Sequence, residues 1–282
     1  MISVIIPFYN GAITLNRAVA SVKNQSFKDW ELILVNDGST DESHTLANEY
    51  LSDSRIRYEF QENQGVSAAR NHGAVLASAE WLIFLDADDE LKENAILNFN
   101  AATSSDTTKD YWIAGIERVN NGVITETLPT NGVHFSKIPG TFCLRKKLFE
   151  SVGGYDIRMK FSENTELFHR LALAKGNGGI SSQVSLVYYD SPDGASKNLQ
   201  NMVDSLSWFL EKHHDTLSNH VKYLYYQIIG VNYMRFQKFS KARKYLLKAL
   251  SFKPYKVNTL IRFFISLVPP LAKFLYPEKV EV

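Results

Sequence analysis

The chain has 282 residues, of which 45% are apolar and 22% charged, with a formal net charge of +1. That composition is ordinary for a soluble, folded protein, and the length fits one large domain or one domain with a helical appendage. A single cysteine, Cys143, excludes an intrachain disulfide and fits a reducing cytoplasm.

Met1 is followed at once by the strand-like run Ile2 to Ile6, with no basic and apolar leader pattern. Thr14 to Ser26 reads as a helix with Leu15, Ala18, Val19 and Val22 on one face. Glu31 to Val35 is a second buried strand. Ser39 to Glu42 has the spacing of a capping box opening a helix that runs to about Leu51. Arg55 to Phe60 alternates like a strand, Val66 to Ala77 is helical and Ala-rich, and Trp81 to Leu85 is a fourth strand. Repeated strand–helix units with short links predict an α/β fold, a Rossmann-like half with a parallel sheet flanked by helices.

Beyond Asp89 the order changes. Leu91 to Thr103 reads as a helix, and strands follow at Tyr111 to Val119 and Val123 to Leu128 around the turn Asn120-Asn121-Gly122. Arg145 to Ser151 and Asn164 to Ala174 read as helices, and Ile180 to Tyr189 as a last strand. From Leu199 the pattern is helical throughout, which divides the chain into a catalytic domain, 1–198, and an all-helical C-terminal appendage, 199–282. In the appendage Tyr226, Ile229, Gly230, Tyr233, Ala242, Leu246, Ala249 and Pro254 follow the spacing of one tetratricopeptide-like helical hairpin. His213 and His214 read as helix-surface residues.

The near-zero net charge conceals an asymmetry. From Arg235 to Val282 eleven basic residues face two acidic ones, a net +9, and the remainder of the chain carries −8. A basic tail on an acidic body points to phospholipid headgroups rather than nucleic acid, for which no motif is present. The apolar stretch Ile261 to Tyr276 is too short to span a bilayer. It fits either an interfacial segment on an anionic membrane or a core-packed helix pair broken at Pro269-Pro270.

Three carboxylates in four residues, Asp86-Ala87-Asp88-Asp89, sit directly after an apolar strand. Open parallel sheets bind ligands there, and a divalent cation relieves the crowding of like charges. Oxygen ligands select Mg²⁺ or Mn²⁺, with substrate phosphates completing the shell. Asp89 is also placed to cap the following helix. Asp37, at the end of the second strand, is placed to accept a hydrogen bond from a base imide or a ribose hydroxyl. Arg70 is either a phosphate contact or an ion-pair partner.

The runs Ser3-Val4-Ile5-Ile6-Pro7-Phe8-Tyr9-Asn10, Asn36-Asp37-Gly38-Ser39-Thr40-Asp41, Asn63 to Asn71 and Asp86-Ala87-Asp88-Asp89, in that order, resemble the family 2 glycosyltransferases. The resemblance implies a glycosyltransferase A-type mixed sheet, inversion at the anomeric carbon, and a nucleoside-diphosphate sugar, by analogy a UDP-sugar, bound with Mg²⁺ or Mn²⁺. It implies a glycan or lipid-linked acceptor at the cytoplasmic face of a bacterial membrane. It places Pro7 and Tyr9 beside the base, Asp37 on the base, Asp86 on the ribose and Asp88 on the metal. Where the family carries Glu-Asp at the start of a helix, this chain has Glu163-Asn164. An amide cannot take a proton, so Glu163 is the first candidate for the general base, with Glu166 or a residue not identified from the sequence as alternatives. Glu166, four residues before Arg170, is also explained by a helix ion pair. Ser191 stands where relatives place a metal-binding His, leaving Asp190 or Asp193 as alternative oxygen donors and Lys197 as a candidate diphosphate contact. Asn164 and Ser191 also support a second reading, a sugar-nucleotide-binding protein of the same fold that has lost catalysis.

Overall fold

A computed structural model describes residues 1–120, 122–130, 135, 137–190 and 198–278. The chain divides into two compact units, Met1–Ile157 with Glu163–Pro192, and Arg158–Ser162 with Asp193–Val282.

The first unit opens on strands β1 (Ile2–Phe8) and β2 (Trp30–Asp37), every residue of which is buried. Burial of every residue in these mostly apolar strands suits a sheet covered on both faces, and each fully buried Val, Leu or Ile contributes about 1.5–3 kcal/mol. Helices α1 (Leu15–Lys23), α2 (Ser43–Glu49) and α3 (Val66–Leu76) separate β1, β2, β3 (Ile56–Gln61) and β4 (Trp81–Phe84). These four strands pair in parallel in the order β3-β2-β1-β4, as the alternation predicts. The register sets Pro7 beside Val35 and Ile5 beside Phe84. Tyr9, Asp37 and Asp86 therefore leave the sheet at one edge, the carboxyl ends of neighbouring strands.

The remaining strands make the sheet mixed. They are β5 (Glu90–Leu91), β6 (Tyr111–Asn120), β7 (Val123–Thr127), β8 (Phe142–Arg145) and β9 (Gly178–Tyr189). The order continues β4-β8-β6-β9-β5, with β8 antiparallel to both neighbours, β6 and β9 parallel, and β7 forming a hairpin with β6. Asn121 of that hairpin lies outside the described residues. Helices α4 (Ala95–Ser105), α5 (Lys146–Ser151) and α6 (Glu163–Leu173) complete the unit.

Two local expectations are corrected, and one strand was not foreseen. The Ser39 capping box does not form: α2 begins at Ser43, and the Ser39 hydroxyl instead accepts the Asn10 N–H at 2.9 Å. Asp89 does not cap a helix, because Glu90–Leu91 pairs with β9 and α4 starts only after Asn94. Strand β8, whose apolar run is only Phe142-Cys143-Leu144, has no helix or strand period long enough to declare itself.

The second unit contains α7 (Leu199–Lys212), α8 (Asn219–Arg235), α9 (Phe239–Phe252), α10 (Val257–Ser266) and α11 (Pro269–Leu275). The expected hairpin is formed by α8 and α9. A Cβ on Gly230 would stand 2.9 Å from Leu246 Cγ, so the glycine sets the approach distance. Tyr226 stacks on Phe252 at 5.8 Å, and Ala242, Leu246 and Ala249 are fully buried. His213 is buried with its ring edge-on to Phe209, 5.1 Å between centroids, and is not a surface residue; α7 turns that side inward. The short segment Arg158–Ser162 belongs to this unit: Met159 joins its core, and Lys160 N–H donates to Ser205 Oγ at 3.0 Å.

Candidate active site

The loops after β1 and β2 are tied to each other. Asn10, Gly11 and Ala12 N–H donate to Ser39 Oγ, Ser43 Oγ and Asp41 Oδ2, while Thr40 N–H donates to Asn10 Oδ1. Pro7 is buried in β1, whereas Tyr9 is 52% exposed, its ring open to a stacking partner. Asp37 is buried at the end of β2. Its Oδ1 accepts from Gln61 Nε2 at 2.7 Å and Gln64 N–H at 2.9 Å, and its Oδ2 accepts from Gly65 N–H at 2.8 Å. Gly38, at φ +77°, makes that crossing feasible, since a Cβ there would lie 2.8 Å from Asn63 N. Asp37 thus staples the turn that opens α3, and three of about four carboxylate lone-pair sites are already used.

Helix α3 delivers Arg70 into the middle of the site. Its guanidinium is 2% exposed and bridges two carboxylates, Nη2 to Asp86 Oδ1 at 2.5 Å and Nη1 to Glu163 Oε1 at 3.0 Å. Of the two roles open to Arg70 in the sequence, the structure shows the ion pair. Burial opposes the positive charge, yet Asp86, the Tyr155 ring oxygen and Glu163 together hold the guanidinium more firmly protonated than usual. Tyr155 lies under Arg70, 5.2 Å from ring centroid to guanidinium carbon.

Glu163 and Asn164 open α6 and continue the same network. Asn164 Nδ2 donates to Glu163 Oε1 at 3.1 Å, and the Tyr155 hydroxyl donates to Asn164 Oδ1 at 2.8 Å. Among the described residues Glu163 Oε2 has no hydrogen-bond partner, so one oxygen remains available. Glu166 is fully buried and grips Arg170 through both carboxylate oxygens at 2.6–3.0 Å, the helix pair expected from its spacing. Tyr155 was not singled out in the sequence. Asn71 places it through a reciprocal pair, Asn71 Nδ2 to Tyr155 C=O at 2.8 Å and Tyr155 N–H to Asn71 Oδ1 at 2.7 Å. Gly154 precedes it at φ +67°, with a would-be Cβ only 2.6 Å from Asn71 Oδ1. Gly154→Ala is therefore expected to destabilise the protein by about 1–3 kcal/mol, read as a lower urea midpoint with an unchanged slope.

The acidic tetrad itself is unevenly placed. Asp86 faces Arg70, Asp88 stands at the surface, and Asp89 is buried. Asp89 Oδ1 accepts the Tyr189 N–H at 3.0 Å, and its Oδ2 is buried without a hydrogen-bond partner. Burial, then the charges of Asp86 and Asp88, push the Asp89 carboxyl up to about 9. The surrounding protein and the Asp86 charge raise Asp88 as well. Arg17, also missed in the sequence, pins this corner: it donates to the Asp88 carbonyl, lies 3.4 Å from Glu90 Oε1 and stacks 3.7 Å over the Tyr189 ring. Ser191, Asp193 and Lys197 lie outside the described residues, and Asp190 Oδ2 accepts from Asn120 Nδ2 at 3.3 Å.

The sequence pattern described as "Glycosyl transferase family 2" matches residues 3–157, more than half of the chain, taking in the ends of β1 to β8 and stopping before α6 and β9. The chain belongs to glycosyl transferase family 2. Within the family it is 41% identical over 104 residues to an uncharacterized glycosyltransferase of Haemophilus influenzae, covering 35% of this chain and 42% of that one. It is 40% identical over 98 residues to the GalNAc(5)-diNAcBac-PP-undecaprenol beta-1,3-glucosyltransferase of Campylobacter jejuni, covering 34% and 32%. The matched region is thus less than half the length of either relative. Two solved structures share the fold of this family 2 chain. S. aureus TarS 1-349 in complex with UDP-GlcNAc superposes with a TM-score of 0.64 at 18% identity, over 96% of this chain and 82% of that one. A mannosyltransferase of Pyrobaculum calidifontis in complex with GDP-Man and Mn²⁺ gives 0.61 at 13% identity, over 99% and 88%. The glycosyltransferase A-type mixed sheet expected from the motifs is the fold observed.

Proposed function

We propose that this chain transfers a sugar, with inversion, from a UDP-sugar to a hydroxyl of a glycan or lipid-linked acceptor. The observation that carries the reading is the Arg70 bridge, which holds Asp86 of the donor motif and Glu163 of the candidate base in one site. The relatives support the substrate class: TarS binds UDP-GlcNAc, and the Campylobacter enzyme is named for an undecaprenol-linked acceptor. In this reading Tyr9 stacks on the base, Asp37 uses its remaining acceptor capacity toward the base while keeping the Gln64–Gly65 turn in place, and Asp86 contacts the ribose. Residues 1–198 are the catalytic domain and 199–282 the appendage.

The acids fit a divalent metal. Asp89 Oδ2 is buried and unpartnered, Asp88 is crowded by Asp86, and among the described residues Arg17 and Arg70 are the cations that offset them. Among the described residues no three His, Cys, Asp or Glu side chains converge into a closed cage. That matches Mg²⁺ or Mn²⁺, which bind through one or two carboxylates and substrate phosphates. Asp88 would hold the ion, and when bound it supplies positive charge against the departing nucleoside diphosphate. The protein's own part is to orient the donor through Asp86 and Arg70 and to take the acceptor proton on Glu163 Oε2 as the hydroxyl attacks.

Asp88→Asn is expected to lower Mn²⁺-dependent sugar transfer by about 10²–10³-fold while leaving the fold intact. Turnover equal to the parent protein in that variant would sink the assignment. Calorimetry with a nucleotide panel beside the transfer assay separates the alternative: tight, metal-dependent UDP binding with no transfer to any acceptor would identify a sugar-nucleotide-binding protein.

A further inference from the structure

The last two helices carry their side chains in the reverse of the usual arrangement. A surface helix normally turns large apolar residues inward and small or polar ones outward. In α10 and α11 the fully buried residues are Thr259, Ser266 and Ala272. Phe263 and Ile265 pack partly buried on the Met234–Ala242–Leu246 cluster, and polar contacts fasten the same inner side: Tyr223 Oη lies 2.8 Å from Thr259 Oγ1, and Arg243 donates to the Ser266 carbonyl at 2.9 Å. Leu260, Ile261, Phe264, Leu267, Leu271 and Phe274 are outside, between 39% and 82% exposed. Leu260, Ile261 and Phe264 share one face of α10, and Leu271 and Phe274 share one face of α11, beyond the break at Leu267 and Val268. Exposed apolar residues gathered in such a stripe mark a binding face.

Charge selects what binds. Between Thr216 and Pro277 the chain has eleven Lys or Arg and no Asp or Glu. Lys256 and Lys273 are exposed at the ends of the stripe, and Arg262 lies within α10. A second copy of the chain would bring two uncompensated basic surfaces together. A nucleic acid would satisfy the charge and leave the phenylalanines in water. An anionic bilayer offers acyl chains and negative headgroups at the same boundary. We propose that α10 and α11 seat the protein on an anionic phospholipid surface, the stripe entering the headgroup–acyl boundary and the flanking lysines reaching lipid phosphates. Among the described residues no helix is long and apolar enough to cross a membrane, so this contact is peripheral. It does not depend on the sugar-transfer reading.

The test is co-sedimentation of the full chain with phosphatidylcholine vesicles, with and without phosphatidylglycerol, at low and high salt. Binding is expected only with phosphatidylglycerol, weakening by about tenfold or more as salt rises. The Phe264→Ser/Phe274→Ser double variant is expected to bind about tenfold or more weaker, with an unchanged melting temperature because both side chains are exposed. Equal binding to both vesicle types, no binding to phosphatidylglycerol at low salt, or full binding by the double variant would each overturn the proposal. So would a dimer in solution that the same two substitutions dissolve.

Discussion

Arg70→Met is expected to destabilise the protein by about 3–5 kcal/mol, because it leaves two carboxylates facing each other across a buried gap. Arg70 is 2% exposed, Asp86 29% and Glu163 16%, so the cation is the dry member and the acids keep some water. That residual solvation places the expected loss at the lower end of the range. The methionine restores volume and not the two charge-assisted hydrogen bonds at 2.5 and 3.0 Å. Arg70→Lys should fall between the two, since a single ammonium cannot span both carboxylates with the fork geometry of a guanidinium. Sugar transfer should drop further than stability suggests, by about 10²-fold even at temperatures where the variant is folded, because Asp86 and Glu163 lose their common anchor. Urea unfolding gives the first quantity and a transfer assay on folded protein gives the second. A double-mutant cycle with Asp86→Asn checks the mechanism: the combined loss should be smaller than the sum of the single losses. A parental urea midpoint for Arg70→Met would show that the bridge contributes nothing.

The parts of this site legible in the sequence are those that hang on strand ends. Tyr9, Asp37 and Asp86 follow apolar runs, and parallel pairing of β1, β2 and β4 is enough to bring the three run-ends to one edge. The parallel half of the sheet was legible for the same reason, β1, β2 and β4 being runs of buried residues and β3 an alternating edge strand between periodic helices. What escaped depends on contacts distant in the chain. Tyr155 is placed by Asn71, 84 residues earlier, and Arg17 is tied to Asp88, 71 residues later. No local period encodes such pairs, although Gly153-Gly154 directly before Tyr155 was a sign of unusual backbone there. The misread capping box has the same origin: Ser39 has the right spacing, but Asn10 from the neighbouring loop competes for its hydroxyl and wins. In α10 the period was legible and its direction was not, because hydrophobic spacing states which residues share a face and not which way that face points.

Glu163→Gln is expected to lower kcat by about 10²–10⁴-fold, with a much smaller change in the KM for the donor. Glutamine keeps the shape and can still accept from Arg70 and Asn164, but it cannot take the acceptor proton. The assignment turns on Asn164, which occupies the place where the family pattern has an acid. Here both ends of the amide are engaged, its oxygen receiving the Tyr155 hydroxyl at 2.8 Å and its nitrogen donating to Glu163 at 3.1 Å. Asn164→Asp replaces that donor with a second carboxylate beside Glu163, and like charges at this distance force one of the two to hold a proton. The double variant Glu163→Gln/Asn164→Asp therefore separates the two positions as the source of the base. If Glu163 Oε2 takes the proton, the aspartate at 164 stays behind the Tyr155 hydroxyl, and the double variant remains as slow as Glu163→Gln alone. If transfer recovers by tenfold or more, the base belongs at 164 and this chain has lost it. Melting curves on all three variants guard the comparison, since weakening the ion pair to Arg70 lowers stability without touching proton transfer.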